Sequence, residues 1–104
     1  MDKKNISHAF STFIEEAPGH SQAWLGAVRQ LDAAGALEQK TAELAYLAVL
    51  AAMRLEGGIS FHVKQAKALG ASREEIISAI LVGLPAAGNT VIQSLPIALA
   101  AFDD

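Results

Sequence analysis

The sequence predicts an all-α protein, and three observations carry that reading. Alanine, the best helix former, supplies 21 of 104 residues, while β-branched residues are sparse outside two short patches. Apolar residues recur at intervals of three and four, and no segment shows the strict alternation of a half-buried strand. Only 18% of the residues are charged and 52% are hydrophobic, against about 25% charged in an average domain, which argues for a packed core rather than disorder. The length suits one domain over residues 1–104. So much apolar surface on so small a body points to cover by another copy of the chain.

About six helices follow from the punctuation of the chain. The first spans roughly Ser7 to Glu16, with Phe10, Phe13 and Ile14 near one face, and Pro18-Gly19 ends it. The second follows Ser21, carries Ala23, Trp24, Ala27, Val28 and Leu31, and breaks at Gly35. The third is the clearest, from about Glu38 to Leu55, with Leu44, Leu47, Ala48, Ala51 and Leu55 on one face and Tyr46, Val49, Leu50 and Met53 over much of the remainder. Twelve of the fourteen residues Ala42–Leu55 are apolar, so this helix belongs at the centre of the fold or in a subunit interface. After a Glu56-Gly57-Gly58 corner, the fourth helix runs from Ile59 to Leu69 and presents Ile59, Val63, Ala66 and Leu69, with His62 on the same face. Gly70 is placed to end it in a left-handed cap. Ser72-Arg73-Glu74-Glu75 reads as a capping box for the fifth helix, with Ala71 and Ile76 as a small hydrophobic staple. That helix continues through Ile80, Leu81 and Leu84, and Pro85 kinks or ends its last turn. A final helical region follows Asn89 and reaches Phe102, with Pro96 kinking it or starting a new turn.

Composition excludes several function classes. The chain has no cysteine, so disulfide, thiol-peroxidase and thiolate-metal chemistry are closed to it acting alone. Its formal charge of −3 disfavours nucleic acid and anionic lipid as partners. Ala66–Ser72 loosely fits a helix-turn-helix. The helix that follows opens on Glu74 and Glu75, which repel phosphate, and offers few base-reading donors. Met1-Asp2-Lys3-Lys4-Asn5 does not begin a secretory signal, which leaves the cytoplasm as the expected compartment. The apolar run Leu44–Met53 has ten residues, too few to span a bilayer. The 27 uncharged residues from Ile76 to Phe102 are interrupted by Gly83, Pro85, Gly88 and Pro96, and fit two packed helices turning near Gly88.

Three side chains are candidates for chemistry. His62 falls among Ile59, Val63 and Ala66, where an imidazole must find hydrogen-bond partners. It is either a satisfied core or interface histidine or a proton-transfer group working near neutral pH. Glu43 stands in an almost wholly apolar helix. It either faces solvent near the first turn, where the helix dipole favours a carboxylate, or orients His62. Arg54 near that helix's end is either a surface residue or the cation for a substrate carboxylate. His8 and His20 lie near helix starts, in no spacing that would make a metal site with a carboxylate or another histidine.

Together, Gly35-Ala36-Leu37-Glu38-Gln39-Lys40-Thr41-Ala42-Glu43-Leu44, the alanine-rich helix, Ile59-Ser60-Phe61-His62-Val63-Lys64-Gln65-Ala66 and Leu69-Gly70-Ala71-Ser72-Arg73-Glu74-Glu75-Ile76 resemble the carboxymuconolactone decarboxylase and alkylhydroperoxidase-D superfamily. The resemblance is strongest over residues 35–88. It implies an all-helical domain that self-associates as a dimer, trimer or hexamer. The superfamily's peroxidase pattern is a Glu, then Cys-x-x-Cys, then His four residues after the second Cys. Glu43 and His62 match the Glu and His, while the cysteine positions fall on Leu55 and Gly58, which removes the thiol nucleophile. The resemblance therefore points to the cysteine-free decarboxylase branch. There the implied reaction is loss of carbon dioxide from a small carboxylated lactone or related organic acid, without metal or organic cofactor. His62 would move the proton, Glu43 would fix its tautomer and Arg54 would hold the carboxylate. The alternative is a non-catalytic oligomeric binding or scaffold protein of the same fold.

Overall fold

A computed structural model describes residues 7–104, and residues 1–6, which include the Met1–Asn5 segment, lie outside the described residues. Every regular element among the described residues is helical. Contacts divide the chain after Leu37 into two compact units.

The first unit holds α1 (His8–Glu16) and α2 (Pro18–Ala34), packed on one another. The Ser7 side chain accepts the Phe10 N–H at 3.1 Å and starts α1. Ala17 serves as the hinge, closing α1 and opening α2. Here the sequence expectation needs correcting. Pro18 does not merely end the first helix; it is also the first residue of the second, which starts three residues before Ser21. Proline suits that position because its missing N–H would have had no helical partner. Ser21 is instead buried inside the first turn, donating to the Pro18 carbonyl at 3.1 Å. Trp24, Val28 and Leu31 form an exposed apolar stripe along α2.

The second unit contains the core and the candidate site. Its elements are α3 (Gln39–Ala52), a short 3-10 turn (Glu56–Gly58), α4 (Ile59–Ala68), α5 (Arg73–Leu81), α6 (Leu84–Ala87), α7 (Asn89–Ile92) and α8 (Leu95–Asp103). The hydrophobic core joins Leu47, Leu50 and Ala51 of α3 to Ile59, Val63 and Ala66 of α4, Ile76 and Ile80 of α5, Val91 of α7 and Ala98 of α8. Burying each larger side chain contributes about 1.5–3 kcal/mol, so α3 is held chiefly through this face. Outside that buried face, Tyr46, Val49 and Met53 are exposed.

Three helix ends depart from the sequence reading. The third helix stops at Ala52, and Leu55 is 51% exposed rather than in the core. The fifth stops at Leu81, and Pro85 lies in the separate turn of α6. The expected last helix is divided into α7 and α8, with Pro96 in the first turn of α8, the second of the two outcomes its position allowed. In each case the local hydrogen bonding of the turn, which apolar periodicity does not encode, sets the boundary. No helix among the described residues is long and apolar enough to cross a membrane.

Two helix ends share one geometry at different conformational cost. At α4 the Gly70 N–H bonds Lys67 O at 3.0 Å and the Ala71 N–H bonds Ala66 O at 2.9 Å, with Gly70 at φ +96°. At α3 the Arg54 N–H bonds Ala51 O at 3.3 Å and the Leu55 N–H bonds Leu50 O at 2.9 Å, with Arg54 at φ +59°. Both are Schellman caps, whose left-handed position favours glycine. An arginine there carries a strain of about 1 kcal/mol. The capping box of α5 is complete, with the Glu75 N–H bonded to Ser72 Oγ at 3.0 Å and the Ser72 N–H to Glu75 Oε1 at 2.9 Å.

Cations gather at the C-terminal end of α8, where they complement its dipole. Arg73 donates to both Asp103 carboxylate oxygens at 3.0 and 3.1 Å, Lys64 donates to Asp104 Oδ2 at 3.0 Å, and Lys67 bonds the Phe102 carbonyl. The hydrogen bond from Arg73 holds the Asp103 carboxyl below its ordinary value of 3.8. The Ser72 backbone N–H, with Lys40 second, does the same for Glu75.

Two stability predictions follow from these contacts. Gly70→Ala should lower stability by about 1 kcal/mol in denaturant melts, through its φ alone, whereas Arg54→Gly should raise it or leave it unchanged. A depressed carboxyl stabilises the fold above its unfolded-state value and stops doing so as pH falls through the folded value. Asp103→Asn should therefore be less stable than wild type at neutral pH. The gap should close below the ordinary aspartate range, and a gap that persists at low pH would assign the loss to something other than ionisation.

Candidate active site

The α3–α4 hairpin places the candidate site. Glu43 lies early in α3, and His62 lies one turn into α4, beside the buried face of Ile59, Val63 and Ala66. The side chain of His62 is about one quarter exposed, so it stands at the rim of that face rather than within it. His62 Nδ1 is 2.9 Å from Glu43 Oε2. An ionised carboxylate only accepts, so in this contact Nδ1 is the donor and Nε2 is the ring nitrogen that Glu43 does not engage. Glu43 thus turns inward to a partner across the hairpin instead of facing open solvent.

Two aromatic rings border the imidazole. Tyr46, one turn beyond Glu43 on α3, has its ring centroid 4.5 Å away at an angle of 50°. Phe61 meets it edge-on at 5.2 Å and 85°. Sequence reasoning assigned Tyr46 only to the apolar cover of α3 and gave Phe61 no role. The i, i+3 spacing of Glu43 and Tyr46 was the available signal, but nothing in the sequence says which α4 residue meets that pair.

Gly58 closes the hairpin next to the same ring. A Cβ at Gly58 would stand 3.5 Å from Leu50 Cδ1 and 3.9 Å from His62 Cδ2. The position that the peroxidase pattern gives to its second cysteine is therefore adjacent to the imidazole, and in this chain it bears no side chain.

Arg54 lies just past the end of α3, and its Nε donates to Glu56 Oε1 at 3.0 Å rather than to either member of the Glu43–His62 pair. His8 opens α1 and is exposed. His20, also exposed, helps line an apolar hollow of about 480 Å³ with Phe13, Ala23 and Trp24 in the first unit. A second hollow, of about 380 Å³, is lined by Glu38, Gln39, Lys40 and Leu69. Neither contains His62 or Glu43. No group of three or more His, Asp or Glu side chains that could hold a metal ion occurs among the described residues.

The second unit is all-helical and carries a carboxylate–imidazole pair across a helical hairpin, and the chain has no thiol for dithiol redox chemistry. Comparison with known proteins sharpens that description. The model of the carboxymuconolactone decarboxylase family matches residues 18–101, and the chain belongs to that family. It is similar to a crystal structure of an apo carboxymuconolactone decarboxylase family protein from Legionella pneumophila, with a TM-score of 0.77 and 27% identity over 91% of this chain and 85% of that one. Comparison with curated proteins gives no match.

The pair yields a direct test. In Glu43→Gln the partner amide can either accept or donate, so the imidazole is no longer committed to one form. Nitrogen-15 spectra of the neutral ring should show His62 as the Nδ1–H tautomer in wild type and as a mixture in E43Q. A single unchanged tautomer in E43Q would mean that Glu43 does not set it.

Proposed function

We propose that this chain is a cofactor-free acid–base enzyme that decarboxylates a small carboxylated lactone or a related organic acid. The observation that carries the proposal is the 2.9 Å pairing of His62 with Glu43 in a family member whose cysteine positions are Leu55 and Gly58. In the proposed step the carbon–carboxylate bond breaks and carbon dioxide leaves. The bonding pair is delocalised into the unsaturated lactone, and the His62 imidazolium supplies the proton that replaces the carboxyl group. Solvent then reprotonates the ring. Glu43 keeps Nδ1 occupied, directing Nε2 toward the reacting carbon, and stabilises the imidazolium form.

Arg54 is the proposed carboxylate-binding cation. The support is its backbone, which holds a strained φ of +59° where glycine would be less costly. Its side chain is half exposed and already binds a carboxylate, that of Glu56. An incoming substrate would displace Glu56, and the guanidinium arm and the ligand together would span the distance to His62. Self-association is part of the same proposal. The exposed Tyr46, Val49 and Met53 on α3 and Trp24, Val28 and Leu31 on α2 are apolar stripes of the kind that contact between copies covers. Those stripes equally favour a second reading, a non-catalytic oligomeric scaffold.

An ultraviolet assay of carboxymuconolactone turnover separates the two. Wild type should turn the lactone over, and a folded His62→Ala variant should lose about 10²–10⁴-fold in rate, the usual contribution of a positioned general acid. Arg54→Gly should raise KM while keeping its stability. Correctly assembled wild type without turnover would dismiss this substrate, and an assembled H62A with full activity would dismiss His62 from the mechanism.

A further inference from the structure

We propose that Tyr46 is a positioning residue for His62, fixing the plane of the imidazole while Glu43 fixes its proton. The proposal rests on the reading of His62 as the group that moves the proton. It follows from what one hydrogen bond leaves undetermined. The bond from Nδ1 to Glu43 Oε2, 2.9 Å long, sets the direction of one ring atom. It leaves the ring free to swing about that contact, and a swing carries Nε2, on the far side of the ring, through a wide arc.

Two rings oppose that swing. Tyr46 lies against the imidazole at 4.5 Å with a 50° tilt, and Phe61 presents its edge at 5.2 Å. They are not equivalent supports. Phe61 is the chain neighbour of His62 and moves with α4. Tyr46 comes from α3, one turn after Glu43, so a single rigid helix supplies both the acceptor and the wall. Any shift of His62 relative to α3 disturbs both contacts at once.

The surroundings of Tyr46 argue against a purely core role. Its residue surface is 48% exposed, whereas Leu47 and Leu50 beside it are 0% and 5% exposed and hold α3 in the core. Burial therefore accounts for only part of this ring's place, and its contact with the imidazole is a second hold on it. The imidazole contact needs the aromatic face and not the hydroxyl, so phenylalanine should substitute for tyrosine and aliphatic residues should not.

The experiment reads ring geometry without any substrate. Wild type, Y46F, Y46L and Y46A are compared by nitrogen-15 spectra of neutral His62 and by its rate of acylation with diethyl pyrocarbonate, mapped by mass spectrometry to separate His62 from His8 and His20. Folding is checked by thermal melts. Wild type and Y46F should both show the single Nδ1–H tautomer and slow acylation. Y46L and Y46A should keep the Nδ1–H tautomer that Glu43 sets but be acylated faster by about two- to tenfold, the range expected for loss of one aromatic contact. If Y46A melts early, Y46L decides, since it keeps bulk on α3. Unchanged acylation in a folded aliphatic variant would overturn the proposal, as would a Y46F variant that behaves like Y46A. Because no turnover is measured, the two failures are distinguishable: an inactive wild type would defeat the decarboxylase reading and remove the purpose of the positioning, while leaving the measured hold of Tyr46 on the ring as it stands. Failure here would leave that reading intact.

Discussion

The packing of α3 against α4 is the constraint on which the site depends. Leu47, Leu50 and Ala51 meet Ile59, Val63 and Ala66 in one continuous apolar layer, and the register of that layer decides which polar side chains face one another at its edge. Glu43 and Tyr46 lie on the edge of the α3 face, and His62 lies on the edge of the α4 face. Slipping one helix by a single residue would turn the polar edge about 100° away while burying the wrong apolar side chains. The energy that holds the core therefore also holds the carboxylate and imidazole at bonding distance, and the site needs no separate scaffold.

The corner between the helices is where the fold departs most from ease. Arg54 closes α3 in the same left-handed conformation that Gly70 adopts at the end of α4, but with a Cβ to accommodate. Glu56 binds the guanidinium across that corner. Gly58 then brings backbone close to Leu50 and to the His62 ring, a proximity that a large side chain would contest. Small residues and one strained residue thus define the edge of the site. α8 returns over α4 and α5, tied at its end by Lys64, Lys67 and Arg73.

Family membership and the absence of thiols pull in different directions, and the geometry reconciles them. The helical frame is that of the family. At position 58 a glycine stands where the peroxidase pattern has a cysteine, and the imidazole next to it is bonded to Glu43.

The sequence by itself determined the helical class, most of the core and several of the caps. Alanine content, the spacing of Leu47, Ala51, Ile59, Val63, Ile76 and Ile80, the Ser72–Glu75 box and Gly70 are local signals, and local signals survive translation into structure. It also singled out Glu43 and His62, though their meeting was implied by resemblance and not by spacing. Other features were not legible. Pro18 looked like a stop and is also a start, because proline is compatible with both readings until the neighbouring turn is known. Leu55 fitted the helical stripe, but the Schellman cap at Arg54 turned the chain and left it exposed. Tertiary structure alone decided that Glu43 faces a histidine rather than solvent, that Tyr46 lies against that histidine, and that Arg54 binds Glu56. These are relations between separate helices, fixed by how their apolar faces interlock, and one-dimensional periodicity carries the faces but not their register.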